Sequence, residues 1–155
     1  VTARPVAALV GALLLAAACS DDGPVEPEPS TTTLTGVAID GLEPGACLVG
    51  LPGPSPGRVE TVDCDLDHRA EVYAVHDLGD GPFPGAGPID ERAARGCAER
   101  YEAYAGEPID PTTDRAFAEL VPTQDSWGGG DRRVVCLALP PGGGSARGTI
   151  AAGEA

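Results

Sequence analysis

Apolar and polar positions alternate at strand period in several stretches of the chain and recur at helix period in one. "RVETVDC" (58–64) alternates as a half-buried strand does. In "AEVYAVHDL" (70–78) a strict alternation places Val72, Ala74 and His76 on one face and Tyr73 and Val75 on the other. "RRVVCLAL" (132–139) sends Val135, Leu137 and Leu139 one way and Val134, Cys136 and Ala138 the other. "RAFAELVP" (115–122) reads as a further strand, "LEPGACLVG" (42–50) as a turn feeding a short one, and residues 146–150 as a short last one. The helix signal lies in "IDERAARGCAERYEAYAG" (89–106), where Asp90 stands in the capping position. Ala93, Cys97, Tyr101 and Tyr104 recur at three- and four-residue steps and form its buried face, and Gly106 and Pro108 end it.

Between these elements, "LPGPSPG" (51–57) and "GDGPFPGAGP" (79–88) carry too many breakers for regular structure. "TQDSWGGGDR" (123–132) offers a capping Thr123, one tight turn and a run of glycines. No internal repeat is visible. Several strands and one good helix, not in strict alternation, predict a small α+β domain with an antiparallel sheet and one main helix.

The first 38 residues differ in kind from the rest. A short segment holding Arg4 precedes the apolar run "VAALVGALLLAAA" (6–18), which stops at Cys19. That run is short for a bilayer span, and its small-residue end predicts an export signal. "LLLAAACS" resembles the lipobox of bacterial lipoproteins, in which the Cys after the cleavage site receives lipid, so Cys19 is the expected attachment residue. A doubly acylated Cys19 anchors a protein stably to a membrane. "SDDGPVEPEPSTTTLTG" (20–36) is rich in Pro, Thr and acidic residues and predicts an extended tether. The expected organisation is a lipoprotein signal peptide over 1–18, lipidated Cys19 and tether over 19–38, a folded domain over 39–150 and a tail over 151–155.

Composition sharpens this picture in two ways. The chain has 24 acidic residues against 10 basic ones, all of them Arg, for a net charge of −14. Such a surface repels nucleic acid and anionic headgroups, so no nucleic-acid partner is expected. The absence of Lys, Asn and Met, with Val1 in first place, suggests a G+C-rich genome and a GTG start.

"VDCDLDHRAEV" (62–72) suggests three chemistries. An EF-hand starting at Asp63 fails, because its sixth position is His68 rather than Gly and its twelfth is Ala74 rather than Glu. Zinc needs at least three protein ligands; Cys64, His68 and His76 are available, yet no paired Cys/His motif accompanies them. With Cys19 taken by lipid, Cys47, Cys64, Cys97 and Cys136 remain, an even set in an exported domain, and this favours disulfides over metal. Of the three pairings, Cys47–Cys64 joins neighbouring strands across the Pro/Gly loop. Cys97–Cys136 staples the buried helix face to the last confident strand. Ser126 lacks a nucleophile-elbow context, His68 most simply bonds its own turn, and Trp127 reads either as a core anchor or as a recognition aromatic.

Taken in order, "LEPGACLVG", "VETVDCDLDHRAEVYAVHDL", "PGAGPIDERAARGCAERYEAYAG" and "FAELVPTQDSWGGGDRRVVCLAL" resemble the septum-formation domain of actinobacterial surface proteins. The resemblance rests on Cys47; on the C-x-x-x-H-x-x-E-V run Cys64, His68, Glu71 and Val72; on Cys97, Tyr101, Tyr104 and Gly106; and on Pro122, Thr123, Ser126, Trp127, Gly130, Asp131, Arg132, Val134, Val135, Cys136 and Leu137. It spans about residues 42–139 and implies an extracytoplasmic domain, anchored in a Gram-positive, high-G+C bacterium and associated with septum formation. It supplies no reaction and no ligand.

The expectation is therefore a non-enzymatic lipoprotein on the outer face of the cytoplasmic membrane. It would be held there through Cys19, need no cofactor or metal, and bind a cell-wall component or partner protein. Its candidate contact surface is His68, Glu71, Trp127, Asp131 and Arg132. Two alternatives stand beside it: an envelope-acting hydrolase using His68 with a carboxylate, and a metal-binding lipoprotein using Cys64 and His68.

Overall fold

The chain's computed structural model describes residues 34–53, 57–109 and 116–151; the expected signal segment and Cys19 lie outside them. Six strands form one antiparallel sheet: β1 (Thr35–Ala38), β2 (Cys47–Leu48), β3 (Arg58–Val62), β4 (Ala70–Asp77), β5 (Ala116–Leu120) and β6 (Arg133–Leu139). Their order across the sheet is β1-β3-β2-β4-β6-β5. The helix α1 (Ala86–Ala105) packs on one face, and the short α2 (Gln124–Gly128) bridges β5 to β6. The expected α+β fold class is thus the observed one. Among the described residues, no helix is long and apolar enough to cross a membrane.

The two faces of the sheet hold separate cores. Tyr73, Ala74, Val134, Cys136 and Ala138 meet Ala93, Cys97 and Tyr101 of α1, and Ala146 and Ile150 complete that cluster. On the other face, Leu42, Leu48, Val59, Ala70, Val72, Val135 and Leu137 pack together under loops rather than under a second helix. The alternation read in β6 agrees with this division.

The alternation read in β4 does not. The register with β6 runs Val72↔Leu137 and then Ala74↔Cys136, so Tyr73 is an extra residue in a β-bulge. A bulge shifts the side-chain phase by one. Val72 and Val75 consequently share the loop-covered face, while Tyr73 and Ala74 turn toward α1. His76 follows them, its ring lying where a Cβ on Gly96 of α1 would sit only 2.5 Å away.

Other boundaries move for local reasons. Regular structure begins at Thr35 rather than Ile39, because Thr35–Ala38 pair with Arg58–Thr61 and Val37 packs on the second core. Helix α1 starts three residues before Ile89, with Gly85 as its N-cap, so Asp90 does not cap it. Pro88 is tolerated there because the N–H groups of a first turn have no partner in the helix. Gly106 closes the other end, its N–H 2.9 Å from the Glu102 carbonyl. Thr123 caps α2 reciprocally with Ser126, as its sequence suggests. The last strand expected near 146–150 is reduced to one bridge, His68↔Ala146, because the chain turns at Gly148 with φ of 76°.

Both disulfides form as expected. Cys47–Cys64 spans 5.3 Å between Cα atoms and Cys97–Cys136 spans 5.5 Å, within the range that bridges adopt. The first ties β2 to the turn after β3, and the second ties α1 to β6.

Candidate functional site

The C-x-x-x-H-x-x-E run folds into a tight turn leading into β4, and it holds the C-terminal segment of the domain. The Gly148 N–H donates to the Cys64 carbonyl at 2.6 Å, and His68 and Ala146 exchange backbone hydrogen bonds of 3.1 and 2.9 Å. Arg147 forms a fork on Asp67 at 2.8 and 3.1 Å, and Arg69 donates to the Gly143 carbonyl at 2.9 Å. The Arg147 guanidinium holds the Asp67 carboxyl below its ordinary range, chiefly through that hydrogen bond.

Glu71 lies at the centre of this clasp and is 6% exposed. Its carboxylate accepts from the Tyr104 hydroxyl at 2.7 Å, the Thr149 hydroxyl at 3.1 Å and the Ile150 N–H at 2.7 Å. Burial, then the neighbouring Glu71 carboxylate, raises the Tyr104 phenol well above its usual value. A buried carboxylate with three donors has its negative charge satisfied by hydrogen bonds.

His68 is fully buried, and its Nδ1 lies 2.9 Å from the Leu66 carbonyl. A carbonyl only accepts, so Nδ1 carries a proton and donates to it. Nε2 has no partner among the described residues. Cys47, His68 and Glu71 come within metal-ligand reach of one another, as do His76, Cys97 and Cys136. Every cysteine in both groups is in a disulfide, and the thiolate that binds a metal is therefore absent. The same bond removes the free Cys64 thiol that a Cys64–His68 metal site requires.

Trp127, Asp131 and Arg132 form a second group at the α2–β6 corner. Trp127 is 5% exposed, donates its indole N–H to the Gly81 carbonyl at 2.9 Å and meets Phe83 edge to face. The Arg132 guanidinium lies 3.9 Å above the indole centre and donates to the backbone carbonyls of Trp127 and Asp131. Arg132 meets Asp131 through that carbonyl; the Asp131 carboxylate accepts from the Arg133 N–H at 3.0 Å. Of the five residues singled out in the sequence, His68, Glu71 and Trp127 are thus interior, and the described contacts join the five into two groups rather than one surface.

Of the five, Asp131 also lines a cleft on the sheet face opposite α1. This cleft of about 880 Å³ is lined by Ile39, Asp40, Leu51 and Pro52 and by Ala118, Glu119, Leu120, Val121 and Thr123. Leu137 and Arg133 contribute to its floor. Arg133 is held at one end by the Leu42 carbonyl and the Glu43 carboxylate, the latter at 3.0 Å. Among the described residues, no His, Cys or aromatic residue lines the cleft. Sequence reasoning assigned Leu51 and Pro52 to a loop and β5 to a strand without giving either a role. The available signal was Leu51 itself, a large apolar residue in a Pro/Gly loop, which is 50% exposed in the fold.

Comparison with known proteins gives one positive result. The model of the septum formation family matches residues 44–151, a span that takes in both disulfides and the whole clasp. No curated protein and no solved structure matches the chain.

Proposed function

Because the chain belongs to the septum formation family, we propose that it is a non-enzymatic, lipid-anchored module on the outer face of the cytoplasmic membrane. In this reading it binds a partner protein or cell-wall component during septum formation. The cleft opposite α1 carries the reading: it is roomy, and its apolar lining is interrupted by Asp40, Glu119, Thr123, Ser126, Asp131 and Arg133, a mixture that suits recognition of a partner. The apolar run ending at Cys19 supports export and anchoring, and the two disulfides support an oxidising compartment. The histidines add support for binding over hydrolysis. His68 is buried with its Nδ1 on a backbone carbonyl, and His76 packs against α1.

The test is to express the full chain in its own host with a C-terminal fluorescent fusion, beside a Cys19→Ala variant. The wild type should carry a diacylglyceryl mass on Cys19, fractionate with membranes and concentrate at division sites, and the variant should be released from the membrane. A wild-type protein that remains in the cytoplasm without lipid would overturn the proposal.

A further inference from the structure

Strand β5 ends the sheet, and among the described residues no strand pairs with its outer edge. A bare edge presents unpaired N–H and C=O groups and is a template for another strand. This edge borders the cleft, since Ala118, Glu119 and Leu120 line it in succession. By alternation, Phe117 and Glu119 point to the α1 face, where Phe117 packs with the α1-side core.

Glu119 is the unusual residue on this edge. It is half-buried, has no ion-pair partner among the described residues and faces the negative charge of Asp90 on α1. Burial raises its carboxyl above the ordinary carboxylate range, a hydrogen bond from its own backbone N–H opposes this, and Asp90 adds to the rise. A carboxylate left in this state on an open edge deters any strand that brings apolar or acidic residues beside it and admits one that brings a cation.

We propose that the cleft receives an extended peptide segment of the partner, added as a strand to the outer edge of β5, with small apolar side chains entering the cleft and an intervening Arg or Lys facing Glu119 and Asp90. The proposal rests on the binding-module reading and names its ligand class. A period of two puts the cleft-facing residues and the Glu119-facing residue on opposite sides of the incoming strand, so the recognised pattern is apolar–basic–apolar. The cleft suits the apolar positions, because Leu51 and Pro52 line it together with Ala118 and Leu120. A glycan strand fits less well, since sugar faces stack on aromatic rings and none lines the cleft among the described residues. The net charge of −14 draws a basic segment toward the domain and disfavours an acidic one.

The probes are two synthetic peptides, Val-Arg-Val-Arg-Val and Val-Glu-Val-Glu-Val with blocked ends, titrated into the full chain in detergent and read by amide hydrogen exchange and calorimetry. The basic peptide should bind at least tenfold more tightly than the acidic one and protect amides within 116–120. Glu119→Lys should reverse that preference, and Leu51→Asp, a change at a half-exposed site, should weaken both peptides. Retained disulfides and an unchanged circular dichroism spectrum would show that each variant is folded. Equal binding of the two peptides, protection away from β5, or an unreversed preference in folded Glu119→Lys would overturn the proposal. If neither peptide binds but purified glycan strands do, and Leu51→Asp abolishes that binding, the peptide ligand is wrong and the binding-module reading stands.

Discussion

Glu71 shows how a motif residue is occupied before any ligand arrives. Its three donors come from α1 and from the C-terminal segment, 33, 78 and 79 positions away in sequence. Glu71 and His68 stand out in the sequence for their place in the C-x-x-x-H-x-x-E-V run, and a local motif does not reveal partners so far away in sequence. The same blindness applies to Trp127, whose neighbours Gly81 and Phe83 lie in a loop that composition alone describes. Replacing Glu71 by Ala should leave the buried Ile150 N–H unpaired and cost about 3 kcal/mol, the scale of a lost charged hydrogen bond plus a stranded donor. Glu71→Gln, which keeps one acceptor oxygen, should cost less. Urea unfolding of both variants measures this, and equal losses would mean that packing rather than acceptance matters at this position. Glu119 gives the opposite sign. Its carboxyl ionises above the ordinary 4.5, so the folded state holds the proton more tightly than the unfolded chain. That contribution is fully present below the unfolded value and is lost as pH rises through the folded one. Glu119→Gln should therefore raise the melting temperature at pH 7 and leave it nearly unchanged near pH 3.

At the scale of elements, the helix and the strands were legible because their periods are local, and the single error of phase has a single cause. Nothing in "AEVYAVHDL" announces that Tyr73 is the extra residue; the bulge is specified by the partner strand β6 and by α1, against which Tyr73 must place its ring. Tyr73 meets Tyr101 at 5.5 Å edge to face and donates its hydroxyl to the Cys97 carbonyl at 2.9 Å. Once the phase has shifted, His76 comes to lie against Gly96, and this explains a glycine in the middle of a 20-residue helix. In an open helix position Gly→Ala stabilises by about 1 kcal/mol. Here Gly96→Ala should destabilise, because the new methyl would overlap the His76 ring. In a His76→Ala background the same change should recover the ordinary gain. A thermal double-mutant cycle reads this coupling, and additivity of the two changes would show that the ring moves aside freely.

The whole molecule is small, its second core is covered only by loops, and its longest clasp is a C-terminal segment of irregular structure. Cross-links matter most in such a fold, because little burial is left to offset chain entropy. The two bridges close separations of 17 and 39 residues. Loop-closure entropy assigns them about 3 and about 4 kcal/mol. Their sum is comparable with the whole net stability of an ordinary domain, about 5–15 kcal/mol. Removing both by Ala substitution should leave the chain unfolded at 37 °C. Removed singly, they should behave differently in kind as well as in size. The Cys97→Ala/Cys136→Ala pair takes the longer closure and the tie between α1 and β6, so it should lower the melting temperature further. The Cys47→Ala/Cys64→Ala pair loosens the turn that carries Asp67, His68 and Glu71, so its first effect should be rapid amide exchange at Ala146, Gly148 and Ile150 while α1 stays protected. Exchange mapped by residue distinguishes these outcomes. If the two pairs melt alike and the clasp stays protected in both, chain entropy is not what the disulfides contribute, and the clasp is held by its hydrogen bonds and the Arg147–Asp67 fork.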